Sequence, residues 1–442
     1  MGTLKHEQDN TTPVPGIKKP IITTGGMQGM MTSNRGVPLT VPLPFLLTGA
    51  CAAALFGLLL PWVLPEALQA PDFPHVLALV HIVTLGWLTM TIMGASLQLI
   101  PVIVVAPLRG TCFVHWQYPV FTGGVILLVS GFWWMQPCLL ITGGSLIILA
   151  VIHHVIVIGV TLAHASKRPL TVYFLGTSLL YLCIVVGLGL TAALNFQFGF
   201  LTTEFDQLLL THIILGLVGW LSSTLIGVSY TLTRLFALAH SHDDRLGRIV
   251  FLLLNTSIIG LACGFLFSVF ILIIACSILL TATVWLFAYD YWRMLHIRHR
   301  KVLDTTQYHA IAAVLYFALI VPLGVLVTLF HWQQPAILPL LVLLAFVGWL
   351  GQSTIGYLYK IVPFLIWNKR YGPLVGRQKV PLMRDMIHQR WAIISFWFIN
   401  VGLVGTSLLA LFALVLPAQI AAGIMGAGLI VAAINIIGVL RA

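Results

Sequence analysis

The feature that most limits what this chain can fold into is a succession of apolar runs, each long enough to cross a bilayer. A helix needs about 20 apolar residues to span the hydrocarbon. Twelve segments qualify, near 41–64, 75–106, 117–136, 138–164, 171–194, 207–238, 248–267, 269–292, 308–330, 336–366, 391–415 and 418–440. Several connections, as at Gln136-Pro137 and Pro417-Ala418, are so short that neighbouring helices must be antiparallel hairpins. Only 7% of residues are charged and 60% are hydrophobic. That is too little charge to cover a water-soluble fold of this size, so lipid is the solvent over most of the chain. The pattern predicts an all-α polytopic membrane protein of about twelve helices. A tail over 1–40 precedes a single membrane domain over 41–442. The tail lacks an apolar stretch of signal-peptide length and reads as a tail, not a cleaved leader.

Charge orients the helices. All 22 Lys and Arg fall on the even-crossing side: the tail, Arg109, Lys167-Arg168, Arg234, Arg245, Arg248, Arg293 to Lys301, Lys360, Lys369 to Arg390, and Arg441. The opposite loops carry Glu66, Asp72, Glu204 and Asp206. Basic loops mark the cytoplasmic side. This predicts both termini in the cytoplasm and a multi-pass protein of the inner (plasma) membrane. The net charge of +11 is accounted for in this way and implies no nucleic-acid partner. The partner expected first is the lipid bilayer, with the Lys369–Arg390 loop meeting anionic headgroups.

An internal repeat is the most informative feature. The second segment reads Gly86-Trp87-Leu-Thr-Met-Thr-Ile-Met-Gly94, the sixth Gly219-Trp220-Leu-Ser-Ser-Thr-Leu-Ile-Gly227, and the tenth Gly348-Trp349-Leu-Gly-Gln-Ser-Thr-Ile-Gly356. The Gly-Trp pairs lie 133 and 129 residues apart. Each falls on the second helix of a four-helix group, which predicts three repeated four-helix arcs, near 41–165, 171–292 and 308–440.

Apart from histidine, the predicted span interiors hold almost no ionisable groups, and no acidic relay occupies the midplane. This counts against a carrier built on buried carboxylates. Neutral imidazole tolerates low dielectric and ligates metals. His75 lies at the outer end of the second helix, and His81 follows roughly 9 Å deeper at 1.5 Å per residue. His212 has a similar depth in the sixth. On a regular helical wheel His212, Gly216, Gly219, Ser223, Gly227 and Tyr230 form one stripe. An imidazole above missing side chains leaves room for a flat cofactor, so His212 is a candidate cofactor ligand, with His75 on the corresponding face of the second helix another. His81 points away from that face and becomes a candidate through the resemblance given below. His212, His153 and His154 are candidate metal ligands, although His153 and His154 also suit a hydrogen-bonding role. His164, His240, His242, His296 and His299 read as solvated or interfacial, and His309 begins the ninth helix. Met27, Met30 and Met31 offer thioethers to Cu(I), or are simply tail. Six cysteines without CxxC spacing read as small buried packers. No Walker motif, HExxH or GxSxG appears, which argues against a pump with its own ATPase and against a recognisable hydrolase.

With histidines on the second and sixth of twelve helices, the chain resembles the catalytic subunit I of haem–copper oxidases and nitric oxide reductases. His81, Met93-Gly94-Ala95 and Ile100-Pro101 are similar to the segment carrying a low-spin haem ligand in nitric oxide reductases, with a one-residue difference in spacing. The NnrS proteins, haem- and copper-containing proteins of the nitric oxide response, share the architecture. The resemblance implies a haem redox protein in which His81 is an axial ligand. His212 would hold a second haem or a copper or iron centre. O2 or NO is the implied substrate class, with a cytochrome or quinol electron donor and partner subunits. The pattern also departs from that family. The tenth segment offers Gln352, Tyr357 and Tyr359 where the family has two histidines, and the seventh has Asn255-Thr256-Ser257 where it has a His-His copper pair. No Tyr follows His212 by one turn. The two-haem-plus-copper centre therefore does not assemble as written, and the implied member is divergent. The competing classes are a transporter or metal-handling permease with a histidine-lined pore, and a cofactor-free structural subunit of a respiratory complex.

The topology is testable by fusion. A reporter active only in the cytoplasm is expected to work after Arg168 or Lys301 and to fail near Asp72 or Glu204; the reverse at any site overturns the twelve-span orientation.

Overall fold

In the computed structural model the described residues are 38–441 except His240, Arg300, Lys301, His331 and Gln333. The methionines and lysines of the tail lie outside them. Twelve long helices follow one another among the described residues. They are α1 (Pro42–Gln69), α2 (Pro74–Ile103), α3 (Val114–Trp133), α4 (Pro137–Ala163), α5 (Leu170–Phe198), α6 (Phe205–Ala237), α7 (Arg245–Leu266), α8 (Phe270–His296), α9 (Thr305–Leu329), α10 (Ile337–Arg370), α11 (Gln389–Leu411) and α12 (Val415–Gly438). Eleven are long and apolar enough to cross a membrane. The remaining one, α3, is 20 residues long and opens on the polar residues His115, Gln117 and Tyr118. The chain is thus an all-α polytopic membrane protein.

Local chemistry sets the helix ends. Proline occupies the first turn of α1, α2 and α4, where its missing N–H leaves no bond unmade. Asp304 caps α9 through a reciprocal box: its side chain accepts from Gln307 N at 3.3 Å and Gln307 Oε1 accepts from Asp304 N at 3.0 Å. Gly199 stops α5 in the left-handed region at φ 60°, a conformation that a side chain would strain.

Helices α2, α6 and α10 form the core. In their most apolar windows 72, 61 and 67% of residues are buried, against 22 to 56% in the other eight spans. Each carries one π-helical stretch: Ile82–Thr89, Leu215–Ser222 and Leu344–Gly351. The Gly-Trp pair has the same register in all three. The tryptophans meet at the centre. Trp220 Nε1 donates to Thr89 Oγ1 at 3.0 Å, and Trp349 Nε1 donates to Ser222 Oγ at 2.9 Å. Thr89 and Ser222 each lie two residues past their own tryptophan and end their π stretch. The third such position is Gly351, which has no hydroxyl. Trp87 packs directly over it, so that a Cβ there would lie 2.6 Å from Trp87 Cη2. Trp87 Nε1 accordingly has no partner.

A second contact also occurs three times. Gly94, Gly227 and Gly356 admit Phe45 of α1, Phe174 of α5 and His309 of α9, each within 2.8 Å of where a Cβ would stand. Those rings meet Tyr118, Phe251 and Phe396 edge-on, with centroids 5.2, 5.1 and 5.1 Å apart. Beside them Tyr181 and Tyr316 lie over Gly219 and Gly348. Their hydroxyls donate to Asn255 at 2.8 Å and Asn400 at 3.1 Å. Around the outside, α4 packs on α5, α8 on α9 and α12 on α1. At the last of these contacts a Cβ on Gly426 would fall 2.1 Å from the Gly57 carbonyl. Small residues let membrane helices approach this closely.

The cysteine expectation is corrected. All six are unpaired, but Cys51, Cys112, Cys138 and Cys183 are exposed on the outer surface and Cys276 alone is buried. A thiol facing hydrocarbon needs no protein cover.

The central contact predicts a stability effect. Gly351→Ala drives a methyl into Trp87 and is expected to destabilise the protein by about 1–3 kcal/mol, read as a lower thermal midpoint in detergent. Gly187→Ala, where nothing lies within 4 Å, is expected to leave the midpoint unchanged.

Candidate functional site

Two histidines in the half of the bundle nearest the acidic loops have the same chemical arrangement. His81 Nδ1–H donates to Leu77 O at 2.8 Å, one turn back on its own helix. His212 Nδ1–H donates to Val185 O of α5 at 3.0 Å. A bond of this kind fixes the tautomer and leaves the Nε2 lone pair as the acceptor. His81 stacks on Phe132 of α3, with centroids 4.8 Å apart at 23°, and Phe132 meets Phe196 of α5 edge-on at 6.4 Å. His212 lies against Gly189 of α5, 3.1 Å from where a Cβ would stand. The two imidazoles are near enough to interact electrostatically. Both are half-buried.

The slot expected below His212 is not there. Val185 covers Gly216, the Tyr181 ring lies 2.9 Å from a Cβ on Gly219, and Phe174 lies 2.3 Å from one on Gly227. The stripe is the groove that receives α5. The stripe itself holds across the π-helical residues 215–222: His212, Gly216, Gly219 and Gly227 all meet α5, and it is the space, not the direction, that differs from expectation.

The remaining candidates separate. His75 pairs with Glu66 at 2.9 Å, stays 39% exposed and lies on Trp133. His154 takes the hydrogen-bonding role, because both its ring nitrogens are used. Gln117 Nε2 donates to Nδ1 at 2.7 Å, Nε2–H donates to Ser96 Oγ at 3.2 Å, and Ser96 donates to Met93 O at 2.8 Å. No lone pair is left for a metal. This bond is also why Gln117, alone among the polar residues that open α3, is buried. His153 keeps both nitrogens unpartnered. Among the described residues no three His, Cys, Asp or Glu side chains gather as a metal group, so no three-histidine copper site is built there. Haem, which needs one or two axial imidazoles, asks less. His81 and His212 meet that demand by donor chemistry.

Other residues emerge only in three dimensions. His309 is fully buried and donates from Nδ1 to Gln352 Oε1, while its Nε2 and the Gln352 amide nitrogen have no partner. It occupies the place that phenylalanine holds in the other two contacts. His242, expected at an interface, is instead 2% exposed and paired with the fully buried Asp290 of α8. Asp290 is a carboxylate six residues inside a helix end with Arg293 at i+3, a signal present in the sequence. On the axis of α2, α6 and α10 lies a largely apolar cavity of about 50 Å³, lined by Thr91, Ser96, Thr224, Leu225, Thr354 and Tyr357 among others. It is far smaller than the roughly 300 Å³ that a drug-sized ligand needs.

Compared with known proteins, the chain matches no family model and no curated protein is significantly similar to it.

The buried relay through His154 is testable. Gln117→Leu leaves His154 Nδ1 without a donor and is expected to destabilise the protein by about 1–3 kcal/mol, measured by SDS titration of the solubilised protein.

Proposed function

We propose that this is a haem-binding membrane redox protein of the haem–copper oxidase subunit I type, divergent in its ligands. In this reading three four-helix arcs surround α2, α6 and α10, and both chain ends lie in the cytoplasm. The arcs are supported by the threefold recurrence of the Gly-Trp π stretches and of the glycine–ring contacts, and by the packing of α12 on α1.

The observation that carries the haem reading is the matched state of His81 and His212. Each has Nδ1–H tied to a backbone carbonyl and Nε2 left without a partner. Axial imidazoles bind through such a nitrogen, with the opposite N–H anchored. His81 and His212 would hold the iron, and haem so held supplies one-electron chemistry. Phe132 and Phe196 would exclude water on one side. Electrons would come from a cytochrome or quinol, and O2 or NO is the substrate class if the protein is an enzyme.

The second reading is a permease. It is favoured by the cavity on the axis of the three central helices, which lies where a passage through repeated units would run.

A reduced-minus-oxidised visible spectrum of the purified protein decides between them. Soret and alpha bands are expected, bleached or changed in spin state by His81→Ala and by His212→Ala, and unchanged by His296→Ala. A protein with neither haem nor stoichiometric metal ends the redox reading and leaves the permease.

A further inference from the structure

Asp290 is the one fully buried acidic side chain among the described residues. Ionisable groups inside membrane spans are expensive and mark function by default. Its Oδ1 lies 3.2 Å from His242 Nε2 and 3.5 Å from Arg293 Nη1. Neither carboxylate oxygen, nor His242 Nε2, makes a well-directed hydrogen bond. Tyr230 faces the carboxylate from α6 as a third neighbour. Burying a charge is costly unless it is paired, and here the nearest partner of the buried carboxylate is itself a buried imidazole.

The fold does not require a carboxylate at this place. Asp290 stands 20 residues after the first residue of α8; the same step gives Asn435 in α12 and Val157 in α4. Tyr230 follows Gly227 by three residues, as Tyr359 follows Gly356 and Leu97 follows Gly94. Asn435 lies beside Tyr359 as Asp290 lies beside Tyr230. One position is therefore filled by Val with Leu, by Asn with Tyr, and by Asp with Tyr and His.

We propose that Asp290 and His242 form a proton-binding site at the basic end of the bundle, loaded with one proton from that aqueous side. The proton passes from water to the pair and rests on a carboxylate oxygen of Asp290, which faces His242 Nε2. No bond other than N–H or O–H changes and nothing is oxidised. Access runs past Arg293, which is 37% exposed, and past the exposed Ser241 that precedes His242. Arg234 is ion-paired with Asp244 at the end of the loop that carries His242. Inward, Ser229 beside Tyr230 shares a hydrogen bond with Tyr357 at 2.7 Å. Thr233 lies next to Tyr291 and Tyr357, and Tyr357 lines the central cavity. These hydroxyls reach the axis through Tyr357. The groups facing Asp290 are His242 from the loop, Tyr230 and Arg234 from α6, and Arg293 from its own helix. Asp243, Asp244 and Arg245 lie at the aqueous margin. The site does not depend on haem.

Infrared pH-difference spectra of the full-length protein in nanodiscs test this. A protonated-carboxyl carbonyl band should grow as pH falls, shift in D2O and be lost completely in Asp290→Asn. In His242→Gln the carboxyl keeps its proton, so the band should persist into alkaline buffer. Should Asp290→Asn fail to fold, Asp290→Glu should move the band while retaining the titration. A spectrum without a titrating carboxyl band, or a band that survives Asp290→Asn or stays unmoved in Asp290→Glu, overturns the proposal.

Discussion

Three indoles placed at one level where three helices meet are the constraint to which the other parts of the molecule adjust. A tryptophan buries more surface than other side chains and its N–H needs a partner. Setting Trp87, Trp220 and Trp349 side by side in a membrane interior therefore makes two demands on the backbone. The preceding glycines let the first helix of each group come close, with Tyr181 and Tyr316 lying against Gly219 and Gly348. The π stretches widen each central helix where the ring leaves it, and put a hydroxyl or a glycine two residues later opposite the next indole. Two of the three contacts are hydrogen bonds and the third is close packing on Gly351. Interhelical hydrogen bonds in membranes average only about 0.6 kcal/mol. Their effect here is as much to fix register as to add stability.

Around that centre, the frame is repeated and the chemistry is not. The position that admits a ring beside Gly94, Gly227 and Gly356 holds Phe, Phe and His. The polar pair near the basic end is Asp290 with Tyr230 in one unit and Asn435 with Tyr359 in another. A scaffold whose backbone contacts are met by glycine and aromatic packing leaves these positions free to differ. Histidine, glutamine and aspartate enter the interior one at a time, each where a neighbour meets part of its polarity: Gln352 for His309, Gln117 and Ser96 for His154, and His242 for Asp290.

The two ends of the bundle consequently differ in kind. Towards the acidic loops, His81 and His212 have their protonated nitrogens committed to backbone carbonyls, with an aromatic ring stacked on His81, the geometry on which the haem proposal rests. Towards the basic loops, a carboxylate and an imidazole are buried against each other near a helix end, the pair on which the proton-site proposal rests. The hydroxyl-bearing central helices and their small cavity lie between.

The amino-acid order alone determined the helices, their number to within the marginal α3, and the recurrence of the Gly-Trp frame, because hydrocarbon selects on composition over about 20 residues and needs no partner to do so. It also pointed to α2, α6 and α10 as a set. The wheel that placed His212 and its glycines on one face holds, since all of them meet α5. A glycine pattern does not say whether the space beside it is open or filled; Val185, Tyr181 and Phe174 of α5 fill it. The burial of His242 was hidden for a similar reason. A histidine in a short loop among charged residues reads as solvated until α8 brings Asp290 beneath it. Partners 48 residues apart in the chain, as His242 and Asp290 are, are joined only by packing, since no local propensity records which loop covers which helix end.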